Sequence, residues 1–218
     1  MRTVGTPTGH VKRVRRYSSP RRREQAVSTH DRVLKAAERR FLRDGYTTTT
    51  IAAIAEDAAV SVDTVYKSFG GKPGLVRAIR TRALRGDAAT PAEERSDQLQ
   101  AREPDARKII RGWGRFVAEL APRAAPILLL VRDAAATDPE LRQLQAELDG
   151  DRLKRMTANA RRLRAAGHLR RGVTVSRAAD VLWAYSSPEL YELLVLRRGM
   201  PLRRYAEFVA DAMTDALV

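Results

Sequence analysis

The 218-residue chain has no cysteine and only three histidines. The first absence excludes disulfides, zinc-thiolate sites and thiol nucleophiles. His10, His30 and His168 are not paired at metal-ligand spacing, so neither a metal nor a cofactor is expected. No apolar run approaches the roughly 18 residues of a membrane span. The richest, Ile127 to Val131, is far too short. No apolar segment follows the basic residues of the N-terminus, so no secretory signal is read and a soluble, cytoplasmic protein is expected. A nucleophile elbow, a dinucleotide-type glycine pattern and an HExxH motif are all missing. Gly70-Gly71-Lys72 is not a phosphate loop, because that pattern needs glycine where Tyr66 stands and serine or threonine where Pro73 stands. Carboxylate pairs such as Asp149 and Asp151, or Asp211 and Asp215, read as solvated helix faces. No enzyme is expected.

What the chain has in abundance is positive charge: 41 Lys and Arg against 26 Asp and Glu, a formal net charge of +15. Such an excess points to a polyanionic partner, double-stranded DNA first and an anionic membrane surface second. Residues 1–27 carry Arg2, Lys12, Arg13, Arg15, Arg16 and Arg21 to Arg23 against a single acid, Glu24. With no hydrophobic period, that stretch predicts a disordered basic arm. It could add phosphate contacts or reach into a minor groove; a solvated tail is the plainer reading.

Beyond residue 27 the pattern is helical. Val33, Ala37 and Phe41 recur every four residues, Ser28 or Thr29 can cap, and Gly45 stops a first helix ending near Asp44. A second helix starts in the threonine run, capped by Thr49 or Thr50, with Ile51, Ile54, Ala55 and Ala58 on its buried face. Ala58-Ala59-Val60 makes the turn. Ser61 then caps a third helix of about seven residues, too short to persist without packing. Val62, Val65 and Phe69 are expected to face inward, and Asp63, Thr64, Tyr66 and Lys67 outward. A fourth helix, Lys72 to Arg85, buries Leu75, Val76 and Ile79.

These residues carry a resemblance. Phe41-x3-Gly45-Tyr46, Thr49-Thr50-Ile51-x2-Ile54-Ala55 and Val60-Ser61-x2-Thr64-Val65-Tyr66-x2-Phe69-x2-Lys72-x2-Leu75 look like the N-terminal DNA-binding domain of the TetR family of transcriptional regulators. The resemblance covers roughly residues 28–85. It implies an all-α fold, with a three-helix unit containing a helix-turn-helix and a linking helix that leads to a helical domain for effector binding and dimerisation. The implied division is a basic arm at 1–27, a DNA-binding domain at 28–85 and an effector and dimerisation domain at 86–218.

By position, the resemblance implies DNA contacts from Thr49, Thr50, Ser61, Val62, Asp63, Thr64, Tyr66, Lys67 and Lys72. Thr50 and Ser61 would offer hydroxyl and backbone N–H groups to phosphate. Thr64 would meet backbone or a base edge, Tyr66 a phosphate, Lys67 a phosphate or a guanine, and Lys72 a phosphate. Ala59 stands where the family commonly has glycine, which implies a turn that needs no positive φ. Val62 and Asp63 also depart from the family pattern; Asp63 would face a cytosine amino group or turn away. Gly70-Gly71-Lys72-Pro73 replaces the more usual Pro-Ser-Lys-Glu and suggests a looser hinge.

The remainder is also read as helical after a surface loop from Gly86 to Arg102. A helix over about Asp105–Ala121 is expected to break between Pro122 and Pro126. The next starts at Asp138-Pro139-Glu140 and stops at Gly167, with Gly150 a point of bending. Ser176 should cap the following helix, which Pro188 kinks or splits, and a last helix covers Leu202 to Leu217. By the resemblance, Trp113, Phe116, Met156, Trp183, Tyr185 and Tyr191 would surround a small-molecule cavity. The last two helices, about 177–217, would pair with a second copy to form a homodimer. The implied function is a repressor released from a palindromic operator by a ligand. A ligand-independent regulator or activator, and a sequence-blind basic DNA-binding protein, are the alternatives.

Overall fold

The computed structural model describes residues 20–86 and 90–218, in which every regular element is a helix. In order they are α1 Pro20–Asp44, α2 Ile51–Asp57, α3 Val62–Phe69, α4 Lys72–Arg85, α5 Ala92–Arg102, α6 Ala106–Ala135, α7 Pro139–Ala165, α8 Val175–Tyr185, α9 Pro188–Tyr191 and α10 Leu202–Leu217. Between α9 and α10 lies a π-helical turn, Glu192–Arg197.

Several boundaries differ from the sequence expectation. The first helix begins at Pro20, so the C-terminal end of the expected disordered arm is helical; residues 1–19 lie outside the described part. Helix α5 occupies most of the expected loop at 86–102. It has little apolar surface, burying only Ala92 and Ser96, and is held instead by charge. Arg95 forms a two-pronged pair with Glu119 of α6 at 3.0 and 2.6 Å, and Asp97 accepts from Arg155 and Arg162 of α7. Helix α6 passes through Pro122 and Pro126 without ending. A proline inside a helix loses one backbone bond, and here buried residues on both sides, Ile109, Ile110 and Trp113 before and Ile127, Leu129 and Val131 after, hold the flanking turns in place. Gly150 does not interrupt α7. Thr174, not Ser176, caps α8, its hydroxyl accepting from the Arg177 N–H at 3.2 Å. The split at Pro188 is as expected.

Two hydrophobic cores divide the chain. The first joins α1–α4 to the C-terminal half of α6 and the start of α7, through Phe41, Ile54, Val65, Leu75, Ile79, Ile127, Val131 and Leu144. The second joins the N-terminal half of α6 and the end of α7 to α8, α9 and α10, around Ile110, Trp113, Leu163, Leu182, Tyr205 and Val209. Helices α6 and α7 therefore each belong to both, so the two cores share two long elements.

Candidate nucleic-acid interface and cavity

Helix α2 is started by Thr50, whose hydroxyl accepts from the Ala53 N–H at 3.1 Å. Helix α3 is started by Ser61, whose hydroxyl accepts from the Thr64 N–H at 3.1 Å and lies 2.8 Å from the Thr64 hydroxyl. Each cap satisfies a donor that the first turn would otherwise leave unpaired, worth about 1 kcal/mol. Between the helices, the chain turns at Ala59 with φ = 51°, contrary to the expectation of a turn without positive φ. Backbone bonds from the Ala59 N–H to the Glu56 carbonyl and from the Val60 N–H to the Ala55 carbonyl, both 3.0 Å, hold that conformation. A paired contact from Arg40 of α1 to Asp57, with both distances 2.7 Å, fixes the end of α2.

Val65 anchors α3, having no exposed surface. Burying a valine contributes about 1.5–2 kcal/mol, which a helix of this length needs. Phe69 packs on His30 with ring centroids 4.7 Å apart. The opposite side of α3 stands free. Tyr66 is 53% exposed and Val62 39%, so Val62 lies outside the core where it was expected within. The Asp63 and Lys67 side chains are 83% and 81% exposed and form a loose pair at 3.9 Å, one turn apart. Ser61, Val62, Asp63, Tyr66 and Lys67 thus share one outer surface, with Thr64 half-buried beside them.

Two expected contacts are placed otherwise. Thr49 is 3% exposed and donates its hydroxyl to the Gly45 carbonyl at 2.7 Å, so it closes the turn before α2. The Lys72 ammonium donates to the Tyr46 carbonyl at 2.9 Å and sits 4.4 Å from the Tyr46 ring centroid. Burial pushes its pKa down, against the pull of Asp138 and Glu140. Lys72 thereby fastens the start of α4 to the first core. The hinge before it, Gly70 and Gly71, has φ of +72° and +120°, values open to glycine but rarely to other residues.

A cavity of about 190 Å³ lies where the two cores meet. Its wall takes Val131 and Leu148 from the first core, and Trp113, Leu182 and Met213 from the second. Of the six residues named from the sequence, Trp113, Phe116 and Met156 line it. Trp183, Tyr185 and Tyr191 do not. Trp183 lies under the Arg152 guanidinium, 4.4 Å from its ring centroid, and donates to the Asp149 carbonyl at 3.3 Å. Tyr185 meets Phe208, and Tyr191 meets the buried Tyr205. Lining residues not anticipated include Arg80 and Leu84 of α4, Ser96 of α5, and Arg152 and Asn159 of α7. Ser96 accepts from the Trp113 indole at 3.0 Å, and Asn159 accepts from Gln100 at 3.2 Å. Burial pushes the Arg152 pKa down, opposed by its bond to Asp149. The sequence offered no local signal for Arg80, since an arginine on an amphipathic helix ordinarily belongs to the solvated face.

A tight turn between two capped helices, with a polar face left open on the second, is the geometry of a helix-turn-helix whose second helix enters a major groove. The family model for bacterial regulatory proteins of the tetR family matches residues 33–79, which span this unit. The chain carries a TetR-type DNA-binding domain over these residues. It is a DNA-binding transcriptional regulator. The similarity extends past the DNA-binding helices. The HTH-type transcriptional regulator TtgR of Pseudomonas putida is 26% identical over 199 residues, covering 90% of this chain and 95% of TtgR. SmeT, solved in complex with triclosan, is 26% identical with a TM-score of 0.66 over 88% of this chain and 92% of that one. NalD of Pseudomonas aeruginosa shares the fold, with a TM-score of 0.68, 22% identity and coverage of 89% and 98%. Among the described residues, no helix is long and apolar enough to cross a membrane.

Proposed function

We propose that this TetR-family regulator is a homodimeric repressor that leaves a palindromic operator when a small molecule fills the cavity. The observation that carries the reading is the path of α4. It begins at Lys72, directly after the Gly70-Gly71 hinge that ends the recognition helix, and its Arg80 and Leu84 form part of the cavity wall. A ligand that favours one position of α4 shifts the population of recognition-helix positions. SmeT's complex with triclosan supports a ligand site in a relative of this kind.

On this reading Val62, Asp63 and Thr64 face base edges, while Thr50, Ser61, Tyr66 and Lys67 meet phosphate or base. Two such helices must sit about 34 Å apart to enter successive major grooves. Exposed Leu193, Leu196, Leu202 and Phe208 on the last helical segments support a second copy as the partner, through about 177–217.

The test is fluorescence anisotropy on DNA flanking the protein's own gene, with random duplex as competitor, alongside light scattering. Preference for the flanking DNA by a dimer is expected. Equal affinity for any duplex would favour a sequence-blind basic protein, and a monomer at micromolar concentration would remove the basis for a palindrome.

A further inference from the structure

The wall of the cavity holds four arginines, and three are already engaged. Arg132 pairs with Glu192 at 2.7 Å and Asp133 at 2.7 Å. Arg155 is bound by Asp97 at 2.6 Å and by the Glu93 carbonyl at 2.9 Å. Arg152 is held by the Trp183 carbonyl and by Asp149 at 3.2 Å. Arg80 differs. Its side chain is 18% exposed, and its one ion pair among the described residues is with Asp151 at 3.8 Å, beyond hydrogen-bond reach. A guanidinium so far withdrawn from water and lacking a charge-assisted hydrogen bond is a strong attractor for an oxyanion, which it can grip with two parallel N–H donors.

The carboxylates of the wall do not offer the same to a cation. Asp149 is taken by Arg152, while Glu93 and Glu189 belong to exposed residues and remain hydrated at the rim. Most of the remaining wall is apolar, from residues such as Trp113, Phe116, Leu128 and Met156. An apolar body with one anionic end therefore satisfies both parts of the site.

We propose that the cavity takes an anionic amphiphile, an apolar chain or ring system bearing one carboxylate or comparable oxyanion, with its headgroup on Arg80 in place of Asp151. This rests on the reading of the cavity as an effector site. Arg80 is on α4 and Asp151 on α7, so the headgroup competes with a contact between the helix leading from the recognition helix and the body of the protein. Binding of the anion is thereby coupled to the position of α4.

Three probes of equal chain length separate the possibilities: decanoate, decan-1-ol and decylammonium, titrated calorimetrically into the full-length protein. Decanoate is expected to bind at least tenfold more tightly than either congener. Arg80→Gln should weaken decanoate at least tenfold and leave decanol within twofold, and Arg80→Lys should recover part of the loss. Asp151→Asn, which removes the competitor, should tighten decanoate several-fold without changing decanol. Circular dichroism checks that each variant is folded. Equal binding of all three probes, or tightest binding of decylammonium, would overturn the anionic class while leaving the cavity as a ligand site. Binding by none would count against the effector site itself. Weakening of decanoate by Asp151→Asn would overturn the competition for Arg80.

Discussion

Lys72 and Tyr46 are joined twice, by a 2.9 Å hydrogen bond from the ammonium to the Tyr46 carbonyl and by the 4.4 Å approach of the same ammonium to the Tyr46 ring. Tyr46 in turn stacks on Phe41 of α1, with ring centroids 5.3 Å apart. The charge at the start of α4 therefore serves the fold. Lys72→Met should cost about 1–2 kcal/mol of stability, the worth of a charged hydrogen bond and a partly buried cation–π contact. The salt dependence of DNA binding should stay the same, as checked by denaturant melts and by affinity against salt concentration.

Lys67 gives the opposite outcome. Its side chain is 81% exposed and its ion pair with Asp63 is loose, at 3.9 Å. Lys67→Ala should leave the melting temperature nearly unchanged and reduce the slope of log affinity against log salt by about one for each phosphate that Lys67 neutralises. Tyr66→Ala should likewise spare stability, since its side chain is largely in solvent, while weakening the operator complex.

Ala59 occupies the left-handed region at φ = 51°. A side chain there costs about 1–2 kcal/mol, partly offset by the extra freedom that glycine has when unfolded. Ala59→Gly is expected to raise stability by about 0.5–1 kcal/mol in chemical denaturation. A loss of stability would mean that the turn prefers alanine for a reason its backbone angles do not supply.

Helices α6 and α10 approach each other closely at Gly114. A Cβ there would lie 2.5 Å from the Ala206 carbonyl oxygen and 2.9 Å from the Ala210 Cβ. Backbone cannot step aside easily, so Gly114→Ala should destabilise by about 1–3 kcal/mol. At Gly112 the obstacle is the end of the Leu99 side chain, which can rotate. Gly112→Ala should be milder, as thermal melts of the two variants would show.

Asp97 ties α5 to α7 and sets an acid dependence. Burial alone would raise its pKa, but hydrogen bonds from Arg155 and Arg162 outweigh burial and hold the carboxyl below its ordinary value. A carboxyl whose folded pKa is depressed contributes stability above its unfolded pKa and loses it as pH falls through the folded value. The difference in melting temperature between the natural protein and Asp97→Asn should thus be full at pH 7 and shrink as pH drops below about 4.

The parts of this molecule that were legible in its sequence are those set by local chemistry. Thr50 and Ser61 each cap a helix through the donor three residues on, and a cap needs no distant partner. The stripe Val33, Ala37, Phe41 and the inward Val65 follow from helical period alone. What escaped was decided at long range. Helix α5 shows no apolar stripe, and its anchors Glu119, Arg155 and Arg162 lie 24 to 65 residues away. Pro122 and Pro126 read as a break because the packing that holds α6 together on both sides cannot be seen locally. At the cavity, Trp113 and Met156 were anticipated, but Trp183, Tyr185 and Tyr191 turn to other partners. Residue type marks a side chain able to line a pocket; only packing decides which way it points.

The most direct test of the central claim is to select duplexes from a randomised library with the full-length protein and sequence those retained. The account predicts an inverted repeat whose two halves are centred about one helical turn or a multiple of it apart, and its loss when Tyr66 and Lys67 are both replaced by alanine. Recovery of unenriched sequence, or an unchanged motif from the double variant, would contradict it.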